Sequence, residues 1–313
     1  MNHLDPAIID RAEGCMVGQL SGDALGSLVE FEYPEEILEK YPAGIRTMAD
    51  GGTFDTIAGQ PTDDSEMALL LARSLVKNGV YDAGLMRTEY RWWVDSKPFD
   101  MGNTIYLAYC GRRSTTSQAN GAMMRISPLG IFGAKHDLQE VAKRAKEDAA
   151  LTHPHPVCLQ ANALYTMAIA HAICTGSGPE ELYASILLWM KSMEIEPSLV
   201  TVVHAAATVP PADYLTQQGW VLVAFQNALY QLLHAQNVEE GVVDTIMQGG
   251  DTDTNAAIAG ALLGAVHGRS AIPAAWVTTL QNCRPEKSNP GVRHPRPECL
   301  WPTDALELAR QLL

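Results

Sequence analysis

The feature that most constrains the fold is the spacing of apolar residues, which recur every three or four positions along several long segments. This period is typical of α-helices that bury one face. It runs through residues 161–172, 182–193, 220–233 and 255–266, and we find no convincing succession of alternating strand patterns. Ala and Gly dominate several of these segments, and small side chains let helix axes approach closely. The sequence therefore predicts an all-α fold built as a compact multi-helix bundle.

Length and composition allow one large domain or two. The chain has 313 residues, of which 47% are hydrophobic and 7% aromatic, and this is enough for a substantial core. Residues 208–212 and 284–302 are the best candidates for linkers, but their composition is typical of surface loops. We therefore expect a single domain that spans residues 1–313.

Two short clusters of acids and hydroxyls stand directly before apolar helical segments, at residues 61–65 and 249–254. Carboxylate and threonine oxygens are the hard ligands that Mg²⁺, Mn²⁺ and Ca²⁺ prefer, whereas Zn²⁺ favours His or Cys, and neither cluster contains these. The pairing of two such clusters predicts a site for two divalent cations, Mg²⁺ or Mn²⁺. The candidate metal ligands are Thr62, Asp63, Asp64, Asp251, Asp253 and Thr254.

Helix capping is the competing explanation for these clusters. Asp63 followed three residues later by Glu66 fits a capping pattern, and Thr252 or Asp253 could cap the second helix. A cap needs only one such residue, and two neighbouring acids repel each other, which the helix dipole offsets only in part. Capping explains either cluster alone as well as a metal does, but it explains the two together less well.

Six short segments spread over most of the chain form a series in a fixed order. They are 22–26 with Glu30 close behind, 61–64, 120–125, 152–155, 219–221, and 249–254 leading into 256–260. Together they resemble the motifs of the ADP-ribosylglycohydrolases, including the dinitrogenase reductase-activating glycohydrolases of bacteria. One segment alone would be a weak signal, whereas six in the family's order are specific. The resemblance implies a large single-domain orthogonal helical bundle with its metals at the centre.

Glu30 stands in the apolar stretch 28–31, where an unpaired buried carboxylate would be costly. Local sequence alone favours an exposed acid, because three further glutamates follow within the next six residues. The resemblance instead implies that Glu30 belongs to the catalytic centre as an acid or base linked to the metals, and we assign catalytic roles to Glu30 and Asp63. Asp23, in a glycine-rich segment that we interpret as a turn, is expected to orient that turn or support the site from behind.

Residues 117–122 combine small side chains with a glycine, so several backbone N–H groups can converge on a pyrophosphate. A plain turn is the alternative, and no G-x-x-x-x-G-K-[ST] loop is present. The resemblance implies that this segment lies against the diphosphate of ADP-ribose and that His153 also faces the substrate. Pro154 beside His153 fixes an irregular backbone, which argues against a role as metal ligand. The candidate substrate-binding residues are Ser117, Gln118, Asn120, Gly121 and His153.

The formal net charge of −14 argues against nucleic acid as a partner, because phosphate backbones are bound by clustered Lys and Arg. No apolar run approaches the roughly 18 residues of a membrane span, and the first six residues lack the form of a signal peptide. The six cysteines are scattered without a C-x-x-C pair and are interpreted as reduced structural thiols. We therefore expect a cytoplasmic protein without a membrane partner.

These parts together predict a metal-dependent hydrolase that removes ADP-ribose from modified protein side chains. Glycoside hydrolysis passes through an oxocarbenium-like state, and metals can fix the ribose hydroxyls and polarise a water. The resemblance is to members associated with ADP-ribosyl-arginine, and an acidic site suits a guanidinium leaving group. We therefore expect an arginine linkage rather than a serine linkage. Asp55 and Asp100 are candidate contacts to the guanidinium, and a solvated loop acid is the alternative for each.

Two other functional classes stay open on the sequence alone. A different dinuclear hydrolase, such as a phosphoesterase, could use the same oxygen-rich clusters and would release phosphate or a nucleotide. A non-catalytic ADP-ribose binder or partner protein could reuse the fold after catalysis is lost. The intact set of acids argues against the binder, because mutually repelling carboxylates have little structural use without a metal.

Overall fold

The protein is helical throughout the part that the structure describes. The computed structural model describes residues 5–313, so most of the segment inspected for a signal peptide lies outside the described residues. Within residues 5–313 there are fifteen α-helices, 3₁₀ turns at Arg269–Ala271 and Glu298–Leu300, and two isolated β-bridges. The α-helices are α1 (Pro6–Gly26), α2 (Pro34–Lys40), α3 (Asp63–Asn78), α4 (Ala83–Asp95), α5 (Asn103–Tyr109), α6 (Ser127–Gly133), α7 (Leu138–Ala149), α8 (Pro156–Thr175), α9 (Pro179–Ser192), α10 (Pro197–Ala205), α11 (Val221–His234), α12 (Val238–Ile246), α13 (Thr252–His267), α14 (Ala274–Asn282) and α15 (Ala305–Leu312). The predicted all-α single-domain fold is confirmed.

The four segments with the clearest helical period form α8, α9, α11 and α13. Local residues explain where α8 begins and ends. It starts at Pro156, whose fixed φ suits the first helical turn, and His155 caps it by accepting a hydrogen bond from the Val157 N–H at 3.2 Å. It ends at Gly176, which takes the left-handed conformation with φ 71°.

Helices α1 and α13 cross at very close range. A Cβ added to Gly18 would lie 2.1 Å from the carbonyl oxygen of Gly260, and one on Gly22 would lie 2.1 Å from that of Ala256. Only glycine allows the two backbones to approach this closely. The prediction that residues 22–26 form a turn is therefore wrong: they are the last residues of α1, and their glycines serve helix packing rather than a reversal of the chain.

Helix α13 lies inside the bundle, in contact with α1, α8, α11 and α12. Almost all of its side chains are buried, as expected for a helix that is apolar on every side. Its first turn is also buried, beside the end of α1, where a Cβ on Gly26 would lie 2.4 Å from the Cα of Asp253. The second acidic cluster is therefore held in the interior of the protein.

Helix α8 corrects one expectation from the sequence. By length and composition alone it could cross a membrane, since its most apolar window has a mean hydropathy of 1.4. The expectation that no apolar stretch approaches the length of a span is therefore wrong. In this fold, 78% of that window is buried inside the protein, where α8 packs against α6, α7 and α13.

Candidate metal centre and substrate cleft

The two acidic clusters meet at the ends of three helices. Asp63 is the first residue of α3, Asp251 directly precedes α13, and Asp23 lies near the end of α1. The exposed N–H groups and dipole of a helix N-terminus favour nearby carboxylates, so two of these helices present a suitable end to the site. The fold thus joins clusters that are about 190 residues apart in sequence, as the contact between Asp64 and Thr254 shows.

The N-cap residues of α3 and α13 do not cap these helices with their side chains. The N-cap residues are Thr62 for α3 and Asp251 for α13, and neither side chain accepts a capping hydrogen bond. Asp23 takes this role for α3 from another helix, because its carboxylate accepts hydrogen bonds from the Thr62 N–H at 3.2 Å and the Ser65 N–H at 3.1 Å. In α13 the carboxylate of Asp253 does accept from the Thr254 N–H at 2.8 Å, so capping accounts for one acid of the second cluster but for neither acid of the first. Asp23 supports α3 rather than a turn.

Glu30 reaches the site through a tight turn after α1. The next residue, Phe31, adopts a φ of 68°, which is unusual for a bulky side chain, and its N–H donates to the Gly250 carbonyl at 2.7 Å. The Gly250 N–H in turn donates to the Glu32 carbonyl at 3.1 Å. This pairing ties the turn to the loop before α13 and leaves Glu30 only 6% exposed, so the interpretation of Glu30 as a surface acid is wrong.

Two groups of three carboxylates are each compact enough to hold a metal ion. In each group one oxygen per residue lies within 4.8 Å of the others. The groups are Asp23, Asp64 and Asp253, and Glu30, Asp251 and Asp253. Asp253 belongs to both groups, which is the arrangement expected where one carboxylate lies between two ions.

These carboxylates are buried without a basic partner. Asp64 and Asp253 are 0% and 1% exposed, and among the described residues no site acid forms an ion pair with Lys, Arg or His. Burial, reinforced by neighbouring acids, raises the pKa of Asp64, Asp253 and Glu30 well above their ordinary values. Burial likewise raises the pKa of Asp23 to about 7. A cation bound among these groups would relieve both the desolvation and the repulsion.

The hydroxyls of Thr62 and Thr254 lie among the same acids. Thr62 Oγ1 is 2.9 Å from an Asp23 oxygen, 3.1 Å from Asp64 Oδ2 and 3.4 Å from Asp253 Oδ2. One hydroxyl proton can serve only one of these acceptors, and the buried Asp64 Oδ1 has no hydrogen-bond partner at all. The possible metal ligands are therefore all oxygen atoms, and the acids among them have no positively charged partner. Such a set of ligands fits Mg²⁺ or Mn²⁺.

The carboxylates open on a cavity of about 440 Å³. Its wall contains four of the predicted metal or catalytic residues and three of the predicted substrate-binding residues. These are Glu30, Asp63, Asp251, Thr254, Asn120, Gly121 and His153. Asn120 links the two sets directly, because its Nδ2 donates to Asp251 Oδ2 at 2.7 Å. The remaining metal candidates, Thr62, Asp64 and Asp253, do not line this wall. Asp64 Oδ2 accepts from Thr254 Oγ1 at 3.3 Å, and the Thr62 hydroxyl lies near Asp64 and Asp253.

Gln118 and Ser117 lie outside this cavity. Gln118 lines an adjoining groove of about 390 Å³ that shares three wall residues with the cavity, and its Oε1 accepts a hydrogen bond from Trp220 Nε1 at 2.9 Å. Ser117 Oγ lies 2.9 Å from the hydroxyl of Thr104, which does line the cavity. The cleft therefore continues from the carboxylates along residues 117–121.

Arg125 ties this loop to the core. It is fully buried, pairs with Asp148 at 3.0 Å, and donates to the Gly121 carbonyl at 3.3 Å. It also lies near His153, whose pKa is lowered to about 3 by burial and then by the Arg125 charge. His153 is therefore neutral at physiological pH.

Asp100 is the site residue that sequence reasoning undervalued. It lines the cavity, and burial together with the charge of Asp63 raises its pKa to about 9. The sequence offered it only as a guanidinium contact, because a single Asp in an irregular loop carries no local motif. The other candidate, Asp55, is exposed and pairs with Arg293 at 3.1 Å, and it does not line the cavity.

Comparison with known proteins agrees with this geometry. The ADP-ribosylglycohydrolase family model matches residues 4–312. The chain is 32% identical to the ADP-ribosyl-[dinitrogen reductase] glycohydrolase of Rhodospirillum rubrum, over 88% of this chain and 92% of that protein. It is 27% identical to the ADP-ribosylarginine hydrolase Tri1 of Pseudomonas putida, over 86% of this chain and 74% of that protein.

A solved structure supports the same assignment. The chain superposes on a protein described as an ADP-ribosylglycohydrolase-related protein complex with a TM-score of 0.78 and 26% identity, over 98% of this chain and 99% of that chain. The resemblance inferred from the six sequence segments is thereby confirmed. This chain belongs to the ADP-ribosylglycohydrolase family.

Proposed function

We propose that this protein hydrolyses the bond between ADP-ribose and a modified protein side chain, with arginine as the linked residue. The observation that carries the proposal is the pair of buried carboxylate groups that share Asp253 and open on a cleft leading along residues 117–121. Relatives described as an ADP-ribosyl-[dinitrogen reductase] glycohydrolase and an ADP-ribosylarginine hydrolase support the choice of linkage.

We assign two divalent cations, Mg²⁺ or Mn²⁺, to the carboxylate groups. When bound, the cations would fix ribose hydroxyls and polarise a water for attack. The ligands in this proposal are Thr62, Asp63, Asp64, Asp251, Asp253 and Thr254. We add Asp23, because its carboxylate lies in one of the two compact groups. Asp253, shared by both groups, holds the central position.

The cleft has room for the rest of ADP-ribose. In this proposal the diphosphate lies along residues 117–121, where Asn120 and Gly121 face the cavity and Gln118 faces the groove. Trp220 lines the same groove, and its indole offers a flat apolar surface on which a base can stack. His153 completes the polar wall near Gly121.

Glu30 and Asp63 are the proposed catalytic residues. Glu30 borders the cavity, and its Oε2 has no hydrogen-bond partner, so it is placed to take a proton from the attacking water or to return one to the leaving group. Asp63 is oriented by the Gly102 N–H, which donates to its Oδ2 at 3.1 Å. Asp100, beside Asp63 in the cavity wall, is an acidic contact available to a guanidinium.

We further propose that residues 1–313 form one ADP-ribosylglycohydrolase-like domain that acts in the cytoplasm on ADP-ribosylated proteins, without nucleic acid or membrane as partner. The net charge of −14 and six free cysteines support this setting. Cys15, Cys158 and Cys283 are buried, whereas Cys110 and Cys174 are exposed, so a structural role applies to only part of the set.

The test is incubation of the protein with arginine-linked and serine-linked ADP-ribosylated proteins, each with Mg²⁺ and with EDTA. Mass spectrometry should show free ADP-ribose and intact arginine in the Mg²⁺ sample alone. Release of phosphate or a nucleotide would identify a phosphoesterase, and binding without turnover would identify a non-catalytic binder. Clearance of the serine-linked protein with the arginine-linked protein untouched would overturn the linkage.

A further inference from the structure

His153 is held by a chain of hydrogen bonds that begins at a buried arginine. Arg125 Nη1 donates to Thr152 Oγ1 at 3.0 Å, and Thr152 Oγ1 lies 2.7 Å from His153 Nδ1. All three residues are fully buried. Arg125 is itself fixed, because it pairs with Asp148 at 3.0 Å and its guanidinium carbon lies 4.5 Å from the ring centroid of Tyr90. These contacts therefore hold Arg125, Thr152 and His153 in a fixed arrangement.

The direction of each hydrogen bond follows from the donors and acceptors present. A guanidinium group can only donate, so Thr152 Oγ1 accepts from Arg125. The Thr152 hydroxyl proton then needs an acceptor, and among the described residues its one remaining partner is His153 Nδ1. A neutral imidazole that accepts at Nδ1 carries its proton on Nε2. The low pKa of His153 agrees with a neutral ring.

The Nε2 edge of the ring faces Gly121 at the cavity wall. His153 lines the substrate cavity, and its buried Nε2 has no hydrogen-bond partner. A Cβ on Gly121 would lie 3.1 Å from His153 Cε1 and 3.3 Å from Nε2, so any larger residue would crowd this edge. The Gly121 carbonyl also accepts from Arg125 Nη1 at 3.3 Å, so one arginine positions both the ring and the glycine in front of it.

We propose that Arg125 and Thr152 are positioning residues that hold His153 as its Nε2–H tautomer, so that the ring donates one hydrogen bond to an acceptor oxygen of bound ADP-ribose. This inference rests on the proposed function, because it names the group that receives one part of that substrate. In this tautomer Nε2 has no free lone pair, so His153 can neither bind a cation nor accept a hydrogen bond from a ribose hydroxyl.

The tautomer can be observed directly by NMR on the full chain labelled with ¹⁵N-histidine in Mg²⁺, which is diamagnetic. The variant His153→Asn identifies the signals of His153 among the nine histidines. We expect a protonated Nε2 and an unprotonated Nδ1. A protonated Nδ1 with a free Nε2, or a doubly protonated ring, would overturn the inference whether or not the protein binds ADP-ribose.

Substitution of Thr152 tests the relay. Thr152→Val keeps the shape and removes the hydroxyl, so the NMR pattern of one tautomer should be lost and ADP-ribose affinity, measured by calorimetry, should fall about tenfold or more. Thr152→Ser restores the hydroxyl and should retain both. Thr245→Val is the matched control, since Thr245 is equally buried, accepts from Asn227 Nδ2 at 3.0 Å, and lies outside the cavity wall. Unchanged tautomer and affinity in Thr152→Val would refute the relay.

If Thr152→Val does not fold, substitution of His153 itself tests whether the ring donates a hydrogen bond from Nε2. A Gln amide nitrogen reaches the position of Nε2, whereas an Asn amide reaches that of Nδ1. His153→Gln should therefore bind ADP-ribose about tenfold more tightly than His153→Asn, and equal affinities would contradict donation from Nε2. A wild-type protein with the expected tautomer but no affinity for ADP-ribose would refute the proposed function and the identity of the acceptor, while leaving the positioning of the ring in place.

Discussion

Buried acids in this protein fall into two regions that treat charge in opposite ways. Away from the site, Glu66 is met by Arg296 through two hydrogen bonds of 2.7 and 2.8 Å, and Asp148 is met by Arg125 at 3.0 Å. In the site, Asp64 and Asp253 are buried to the same degree and face other acids. Burial alone therefore does not distinguish the two regions. The difference is that arginine side chains neutralise the acids away from the site, whereas the acids of the site have no positively charged partner within the protein.

Helix α3 contains both kinds of acid within its first turn. Asp63 and Asp64 lie among the unpaired acids of the site, and Glu66, two residues later, pairs with Arg296 and also accepts from Trp93 Nε1 at 2.7 Å. Such a fully paired carboxylate contributes to a fixed structure. An unpaired group beside it costs free energy until a cation binds, which is a property of a binding site rather than of a core.

The largest expected effect comes from the carboxylate shared by the two site groups. Asp253→Asn should abolish measurable turnover and weaken divalent-cation binding, because both groups lose the same ligand. In EDTA the same variant should be more stable than the wild type by about 1–3 kcal/mol, because the wild type must hold this buried carboxyl protonated at a cost in free energy that an amide does not have. Kinetics, metal titration and thermal unfolding measure the three quantities.

Asp63→Ala serves as the companion variant from the other cluster. It should also lose turnover, although Asp63 and Asp253 are far apart in sequence. Full activity of either variant in metal-limited buffer would exclude a site built from both clusters.

The next effect is on catalysis without loss of binding. Glu30→Gln preserves the shape of the side chain and removes its ability to exchange a proton, so kcat should fall by about 10²–10⁴-fold. The affinity for ADP-ribose should stay close to that of the wild type. Calorimetry and kinetics on one preparation separate the two, and an unchanged kcat would remove Glu30 from the mechanism.

The sequence predicted the helices and pointed to most of the acids that the fold brings together, because both depend on local patterns. The period of apolar residues gave the helices, and paired acids beside hydroxyls gave the two clusters. The glycines of residues 22–26 were misinterpreted as a turn. They are needed because the backbone of α13, more than 200 residues away in sequence, packs against them and leaves no room for a Cβ. Whether a glycine serves a turn or a helix crossing depends on a distant partner, and no local pattern contains that information.

Charge pairing over long distances was hidden for the same reason. Residues 284–302 have the composition of a surface loop, yet Arg296 in this stretch is buried and neutralises Glu66. Asp100 and Asp23 were undervalued because each is a single acid whose neighbours come from other helices. Residue type suggests that an acid needs a partner, but only the fold decides whether that partner is an arginine or a cation.

Breaking an ion pair between a buried acid and an arginine should lower the stability of the protein, whereas Asp253→Asn should raise it in EDTA. Arg296→Met leaves Glu66 buried without its partner and should lower the free energy of unfolding by about 3–5 kcal/mol. The loss should be the same with Mg²⁺ and with EDTA, because this pair does not depend on the metal. Denaturant unfolding with Mg²⁺ and with EDTA measures this loss. If Arg296→Met leaves the free energy of unfolding unchanged, the two regions are not electrostatically distinct.

The last prediction concerns the pH dependence of the metal-free protein. The pKa of Asp23 is raised from 3.8 to about 7 and that of Asp100 to about 9, in both cases chiefly by burial. The folded state therefore keeps protons that the unfolded state releases, so this stabilisation is complete below about pH 4 and is lost as the pH rises through those values. Each such carboxyl accounts for about 1.4 kcal/mol per pH unit within its window.

In EDTA, thermal unfolding should therefore occur at a lower temperature at about pH 8 than at about pH 5. Saturating Mg²⁺ should oppose this trend, because the cation binds the deprotonated carboxylates. A metal-free protein that becomes more stable over this range would mean that the site acids are already neutralised by the fold, as Glu66 and Asp148 are.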